Sequence, residues 1–144
     1  MSSQNKMETQ SKLIVLGLVS NPEGEFLISQ RFDPDFPEAH LKWDLLGGSN
    51  ESGESLEETV RREIKEESGL DVIVKDLIPE TVSMTWERKG GGKGHVTVKC
   101  YNCSLIGGEM HLNDHKIQDL KWIKKEDFAK YDFLPTVKNF IELI

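Results

Sequence analysis

Three glutamates, Glu63, Glu66 and Glu67, have the spacing i, i+3, i+4 inside the acidic segment 47–70. On a helix, residues at these spacings lie on one face. Carboxylate oxygens are the ligands that a hard divalent cation such as magnesium takes. A magnesium ion held there would neutralise charge on phosphoryl oxygens and acidify a bound water. The spacing therefore predicts a metal site suited to phosphate chemistry.

The segment around these glutamates predicts a helix from Ser55 to Ser68, with Gly69 as its stop signal. An apolar stripe on this helix must face the core. The stripe consists of Leu56, Val60 and Ile64. The glutamate face borders the stripe, and at about 6 Å and a dielectric near 20 each carboxylate pair repels by roughly 3 kcal/mol before screening. A bound cation would relieve that repulsion.

The other charges on this helix are typical of an ordinary solvated surface. Glu57–Arg61 and Glu58–Arg62 are i, i+4 pairs in the favourable order, which stabilise a helix by a few tenths of a kcal/mol each. A solvated helix explains these pairs but not the clustered glutamates, of which Arg62 could neutralise only one. We also expect a strand over 41–46, followed by a glycine loop that brings backbone close to a ligand.

The segment contains the pattern G-x5-E-x7-R-E-aliphatic-x-E-E-x-G-aliphatic. The residues that match it are Gly48, Glu54, Arg62, Glu63, Ile64, Glu66, Glu67, Gly69 and Leu70. On these residues the chain resembles the Nudix hydrolases, including their MutT-like members. The resemblance implies an α/β fold, an α/β/α sandwich with a mixed β-sheet, and hydrolysis of a diphosphate linked to another moiety with Mg²⁺ or Mn²⁺.

Carried over by position, the resemblance assigns a role to each site residue. It implies that Glu63, Glu66 and Glu67 are metal ligands with the Gly47 carbonyl, and that one glutamate, inside or outside the pattern, is the base. The orienting arginine would be Arg62, with Glu54 as its ion-pair partner. The substrate phosphate would contact Arg31, whose alternative role is a solvated charge at a strand end.

Three positions depart from the family. Leu46 stands where many members have proline before the two glycines, which is expected to change only the stiffness of the loop. Many members have a glutamate ligand or base where this chain has Lys116. The alternatives are that Asp114 or His115 serves instead, or that the metal arrangement differs. The MutT-type members that clear oxidised guanine nucleotides carry an asparagine before the last helix, and the nearest match is Asp132. An ionised aspartate only accepts hydrogen bonds, so it does not reproduce amide recognition of a base.

The expected activity is cleavage of a small phosphorylated nucleotide, a nucleoside or deoxynucleoside triphosphate, to the monophosphate and pyrophosphate. One alternative is a catalytically silent nucleotide-binding module. Others are hydrolysis of ADP-ribose, nucleotide sugars or dinucleoside polyphosphates, or a diphosphate isomerase. Residues that could shape a base or sugar pocket are Trp86 and those in 32–40 and 128–135, where loop and core roles explain them equally well.

The composition limits the partners. A net charge of −7 argues against polymeric nucleic acid and anionic membranes, which bind basic patches. We expect a flexible arm over 1–11, one domain over 12–144, and a cytoplasmic location because 1–10 is too polar for a signal peptide. A homodimer is an open alternative.

The remaining elements follow from local patterns. Further strands are expected over 12–20, 25–31, 70–78, 80–89, 95–106 and 116–123, the first two as a hairpin. A short helix over 124–131 and a last helix opening at Pro135 complete the domain. The Cys100-x-x-Cys103 spacing is interpreted as two strand residues on opposite faces rather than a redox pair or half a zinc site.

Overall fold

A computed structural model of the chain describes residues 10–88 and 90–144. Within these residues, eight strands form one mixed sheet. The strands are β1 (Gln10–Ser20), β2 (Phe26–Arg31), β3 (Trp43–Asp44), β4 (Leu46–Ser49), β5 (Leu70–Leu77), β6 (Val82–Glu87), β7 (Lys93–Gly108) and β8 (Ile117–Ile123). The helices are α1 (Leu56–Ser68), α2 (Pro135–Glu142) and a 3-10 helix (Lys125–Lys130).

β1 and β7 run parallel at the centre of the sheet. One edge of β7 pairs antiparallel with β5 and β6, and the opposite edge of β1 pairs antiparallel with β4. The predicted hairpin of β1 and β2 is present but short, because the two antiparallel strands pair only where Ser20 faces Phe26. β4 occupies the same edge of β1 from Ile14 to Gly17, so the rest of β2 pairs with β8.

The predicted α/β/α layering is confirmed by the two apolar clusters on the faces of the sheet. Alternate residues of β1 serve opposite clusters, because successive strand side chains point to opposite faces. Val15 and Val19 pack with α1 residues on one face, and Leu16 and Leu18 pack with α2 residues on the other. The sheet therefore lies between α1 on one side and α2 with the 3-10 helix on the other.

The cysteines lie on opposite faces of β7, as the strand interpretation predicted. Cys100 belongs to the cluster on the α2 side and Cys103 to the cluster on the α1 side. Both are free and buried, and burial raises the pKa of both thiols, that of Cys103 to about 12. Buried thiols with raised pKa values are inert structural residues.

Two boundaries differ from the predictions. Gly47 and Gly48 lie inside β4, which pairs with β1 up to Ser49, so the predicted strand ending before a glycine loop is wrong. β1 begins at Gln10, where it pairs with Gly94; residues 1–9 of the predicted arm lie outside the described residues. No helix in the described ranges is long and apolar enough to cross a membrane.

Candidate active site: a carboxylate-lined cleft beside α1

Local sequence fixes both ends of α1. The Ser55 hydroxyl accepts the Glu58 N–H at 3.1 Å, and the Glu58 carboxylate accepts the Ser55 N–H at 2.7 Å, which forms a capping box. Gly69 ends the helix in the left-handed conformation, with φ of 79°. The expected Glu58–Arg62 pair is wrong: the Glu58 carboxylate satisfies the helix N-terminus, and Arg62 binds other carboxylates.

Close packing against β1 sets the height of α1 above the sheet. Val60 and Ile64 are fully buried, and they pack over Gly17. A Cβ atom at Gly17 would lie 2.7 Å from Ile64 Cδ1 and 2.9 Å from Val60 Cγ1, distances that real Cβ contacts do not reach. The missing side chain lets the helix approach the sheet and carries its acidic face over β4.

Arg62 is the centre of an ion-pair network. Its Nε and Nη2 atoms contact the two oxygens of Glu54 at 2.6 and 3.1 Å, a bidentate pairing. Its Nη1 donates to Glu63 and to Glu66, each at 3.2 Å. The predicted Arg62–Glu54 pair is thus present, and one guanidinium also holds two of the three clustered glutamates.

The two glycines of β4 form a floor beneath the other glutamates. A Cβ atom at Gly48 would collide with the Glu63 carboxylate, and the Gly47 N–H donates to Glu67 Oε1 at 3.1 Å. Gly47 has φ of 151°, and a Cβ atom there would collide with β1 backbone. Absence of side chains at both positions is what lets the carboxylates sit directly on a strand.

The pKa values of the glutamates at the two ends of this network are shifted in opposite directions. Burial raises the pKa of Glu67 to about 8, with a further rise from Glu63 and a lowering by the Gly47 N–H. Burial also raises the pKa of Glu63, although Arg62 opposes it. Hydrogen bonds from Arg62 and Thr59 lower the pKa of Glu54 to about 2. Anionic charge is therefore stabilised at Glu54 and costly at Glu67.

A cleft of about 490 Å³ opens above the Gly47-Gly48 floor. The charged residues that line it include Arg31, Glu63, Glu67, Asp114 and Lys116. The lining also includes Asp44 and Lys12. The structure thus brings together predicted residues from β2, β4 and α1.

Other predicted residues lie outside the cleft lining. The side chain of Glu66 is 58% exposed, and Glu54 and Arg62 line a separate surface depression. The Asp132 carboxylate pairs with Lys42, whose hydrogen bond lowers the pKa of Asp132. Among the described residues, the predicted base-recognition position therefore has a surface ion-pair partner rather than a place in the cleft.

Arg31 lies at the cleft between two aspartates. Its Nη2 is 3.1 Å from Asp33, and its Nη1 is 3.5 Å from Asp44. The Nε atom is buried and has no hydrogen-bond partner among the described residues. The guanidinium is therefore held in place while retaining a free donor.

Sequence reasoning missed Asp44. Burial raises its pKa to about 6, while the Leu45 N–H and Arg31 lower it. The signal was a lone carboxylate in an apolar stretch, between Trp43 and Leu45-Leu46. Such a buried charge needs a partner, and Arg31 supplies it.

Asp114 and His115 are the two candidates to replace the family glutamate at the position of Lys116. The structure brings Asp114 to the cleft. Asp114 contributes to the raised pKa values of Glu63 and Glu67. The loop that carries it docks on the end of α1, where Asn113 donates to the Glu66 and Glu67 carbonyls. The side chain of His115 is 89% exposed, and His115 is not part of the lining.

The donor set suits a hard cation in its chemistry. Glu63, Glu67 and Asp114 supply only oxygen donors and repel one another, as magnesium ligands do before the ion binds. Within 10–88 and 90–144, however, no three acidic, histidine or cysteine side chains already converge on a single metal position. The physical reason is that Arg62 already holds Glu63 and Glu66, and the Gly47 N–H holds Glu67.

Comparison with known proteins identifies the family. A profile described as NUDIX domain matches residues 11–144, so the chain belongs to the Nudix family. Its members hydrolyse diphosphate bonds, and the chain is a hydrolase of this class.

Individual relatives agree with this assignment. The chain is 30% identical to nucleoside triphosphatase NudI of Escherichia coli O139:H28, over 93% of this chain and 96% of that protein. The MutT protein of Methanosarcina mazei Go1 superposes with a TM-score of 0.73 at 26% identity, covering 94% and 93% of the two chains. A MutT Nudix hydrolase of Burkholderia pseudomallei shares the fold, with a TM-score of 0.73 at 21% identity, covering 94% and 98%.

Proposed function

We propose that the protein is a magnesium-dependent pyrophosphohydrolase that converts a nucleoside or deoxynucleoside triphosphate to the monophosphate and pyrophosphate. The observation that carries the proposal is the position of Glu63 and Glu67 on the side-chain-free floor of Gly47-Gly48, at the bottom of an open cleft. The similarity to nucleoside triphosphatase NudI along nearly the whole of both chains supports the triphosphate.

Glu63, Glu66 and Glu67, with the Gly47 carbonyl, would hold the cation. When bound, the cation would offset phosphoryl charge and lower the pKa of a coordinated water. Arg62 keeps Glu63 and Glu66 in place through its contacts at 3.2 Å, and Glu54 fixes Arg62. Arg31, already oriented by Asp33 and Asp44, binds a substrate phosphate through its forked donors.

Proton removal from the attacking water falls to a carboxylate in the cleft. A base needs hydrogen-bond reach to the water and a pKa near the working pH. Glu67 lies in the cleft lining, and burial raises its pKa to about 8 in the metal-free protein. Glu67 is therefore our candidate for the base, a role that it would combine with its contact to the cation.

The test is a substrate panel with magnesium and, in parallel, manganese. It contains nucleoside and deoxynucleoside triphosphates, ADP-ribose, a nucleotide sugar and a dinucleoside polyphosphate, with products separated by chromatography. We expect a triphosphate to be hydrolysed fastest, giving monophosphate and pyrophosphate. Faster hydrolysis of a different substrate class would overturn the substrate, and no hydrolysis at all would favour a silent nucleotide-binding module.

The Arg31→Ala variant tests the phosphate contact separately, through KM and magnesium affinity. Because Arg31 is proposed to contact phosphate rather than metal, the variant should raise KM by about tenfold or more, the loss of one charge-assisted contact. Magnesium affinity should change much less. Lys125→Ala, which removes an exposed charge on the 3-10 helix, is the control for a general charge effect.

A further inference from the structure

The sheet brings Lys116 next to Arg31, although 85 positions separate them in the chain. β2 ends at Arg31 and β8 begins at Ile117, and these two residues are register partners. The Phe32 N–H donates to the Lys116 carbonyl at 2.8 Å, so pairing continues one residue beyond the strands. Both cationic side chains belong to the lining of the cleft.

The backbone of Lys116 is held on both sides. Its N–H donates to the Asp114 carboxylate at 2.8 Å, and its carbonyl accepts the Phe32 N–H. A fixed backbone restricts the region that the side chain can reach to the rim of the cleft. Its position is therefore defined by the fold rather than by a freely moving loop.

The ammonium group of Lys116 is uncommitted, in contrast to the arginine beside it. Arg31 pairs with Asp33 and Asp44. Lys116 takes part in none of the ion pairs formed among the described residues. A cation that lines an acidic cleft and has no protein partner is available for an anionic ligand.

We propose that Lys116 binds the terminal phosphate of a nucleoside triphosphate and so makes the cleft prefer triphosphates to nucleoside diphosphates. The inference rests on the proposed hydrolysis of triphosphates. Arg31 and Lys116 form one cationic rim, so adjacent phosphates can be bound side by side. Lysine supplies a compact charge for this contact, whereas Arg31 supplies a forked one.

The reaction is balanced without further reactants. Water adds across the anhydride between the first and second phosphates. Its oxygen bonds to the phosphorus of the first phosphate, the bridging P–O bond breaks, and pyrophosphate leaves with the bond electrons. The water protons pass to the products and to the base in the cleft. Lys116 holds the departing pyrophosphate through its outer phosphate, a group that a nucleoside diphosphate does not have.

The test compares two substrates of the same nucleoside. KM and kcat are measured with the triphosphate that the wild-type protein hydrolyses fastest and with the matching diphosphate. Lys116→Ala should raise KM for the triphosphate by about tenfold or more, the effect of one charge-assisted contact. It should leave KM for the diphosphate within about twofold, since the contact is absent there, and Lys116→Arg should restore most of the difference.

Two lysine variants serve as comparisons. Lys125→Ala removes an exposed lysine outside the cleft and should behave as wild type. Lys12→Ala removes the other lysine that lines the cleft. An equal loss on both substrates with Lys116→Ala, no loss on either, or a triphosphate-selective loss with Lys12→Ala instead would each overturn the assignment.

A binding measurement separates this inference from the proposed function. Calorimetric titration with inorganic tripolyphosphate in the presence of magnesium reports on Lys116 without catalysis. We expect at least about tenfold weaker binding by Lys116→Ala; equal affinity of both proteins would overturn the inference. If wild type hydrolyses no triphosphate but Lys116→Ala still weakens tripolyphosphate binding, the proposed function fails and the phosphate contact stands.

Discussion

Glu54 lies just before α1 and Glu67 lies in its last turn, and the pKa values of the two carboxyls are shifted in opposite directions. Glu54 lies against the guanidinium of Arg62 and the hydroxyl of Thr59, which lower its pKa to about 2. Glu67 lies in the cleft with one N–H donor and neighbouring carboxylates, and burial raises its pKa to about 8. The carboxylate charge of Glu54 is therefore stabilised within the protein. The charge of Glu67 is destabilised unless a cation binds or the group is protonated.

The difference distinguishes a structural role from a cation-binding role. The Glu54–Arg62 pair is a support whose charges are satisfied within the protein. The Glu63 and Glu67 carboxylates are only partly compensated, by Arg62 and by the Gly47 N–H, and their excess negative charge is what an added cation would relieve. Variants at the two ends should therefore differ in both activity and stability.

The largest expected effect is at the unsatisfied end. Glu67→Gln and Glu66→Gln should each reduce turnover by about a hundredfold or more, a typical cost of removing a charged catalytic group. In EDTA at pH 8, Glu67→Gln should instead raise the melting temperature, because it removes a buried charge. Steady-state rates and melting curves check both.

Glu57→Gln is the matched control for these variants. Its carboxylate is exposed in the first turn of the same helix, away from the cleft, and its rate should match wild type. Near-normal turnover of Glu67→Gln with saturating magnesium would remove Glu67 from the active site.

Magnesium should stabilise the folded protein, because an ion bound only by the native state shifts unfolding by mass action. At about 100 times its Kd, magnesium would add about 2.7 kcal/mol to the free energy of unfolding. Glu63→Gln should lose most of this gain. Melting curves with magnesium and with EDTA measure it, and an equal rise in both proteins would place the ion elsewhere.

The pH dependence of the metal-free protein should have two opposite limbs. A raised folded-state pKa means that the native state binds more protons, so Glu67 should make stability fall as pH rises from about 4.5 to about 8. A lowered pKa has the opposite sign, so Glu54 should make stability fall as pH drops from about 4.5 towards 2.

Two variants assign the limbs of this profile. Glu67→Gln should reduce the fall in stability above pH 4.5, to which the raised pKa values of Asp44 and Glu63 also contribute. Glu54→Gln should flatten the acid limb while lowering stability at neutral pH. Denaturant unfolding at several pH values in EDTA measures both. The comparison between the two ends would fail if either variant left its own limb unchanged.

The smallest effect on activity is expected at the cysteines, which lie away from α1's charges. Cys100→Ser and Cys103→Ser should lower stability, since each places a hydroxyl in an apolar cluster. Specific activity of the folded protein should be unchanged. Loss of activity at normal stability would restore a functional role for the C-x-x-C pair.

Local chemistry explains why the sequence sufficed for α1 and its acidic face. Ser55, Glu58 and Gly69 act within a few residues of the helix ends, and the spacing of Glu63, Glu66 and Glu67 fixes their common face whatever the rest of the fold does. The pairing of Arg62 with Glu54 and the family itself were also available from the sequence, because the matching pattern is contiguous.

Contacts between distant strands were decided only by the tertiary structure. Beyond the single pair at Ser20 and Phe26, β2 pairs along its length with β8 rather than β1, because β4 takes the free edge of β1. The pairing of β2 with β8 puts Lys116 beside Arg31. The contact of Glu63 with Gly48 depends on how closely α1 approaches the sheet, and the burial of Asp44 beside Arg31 depends on the pairing of β3 with β2. Such effects arise from packing and desolvation between segments far apart in the chain, which local spacing does not encode.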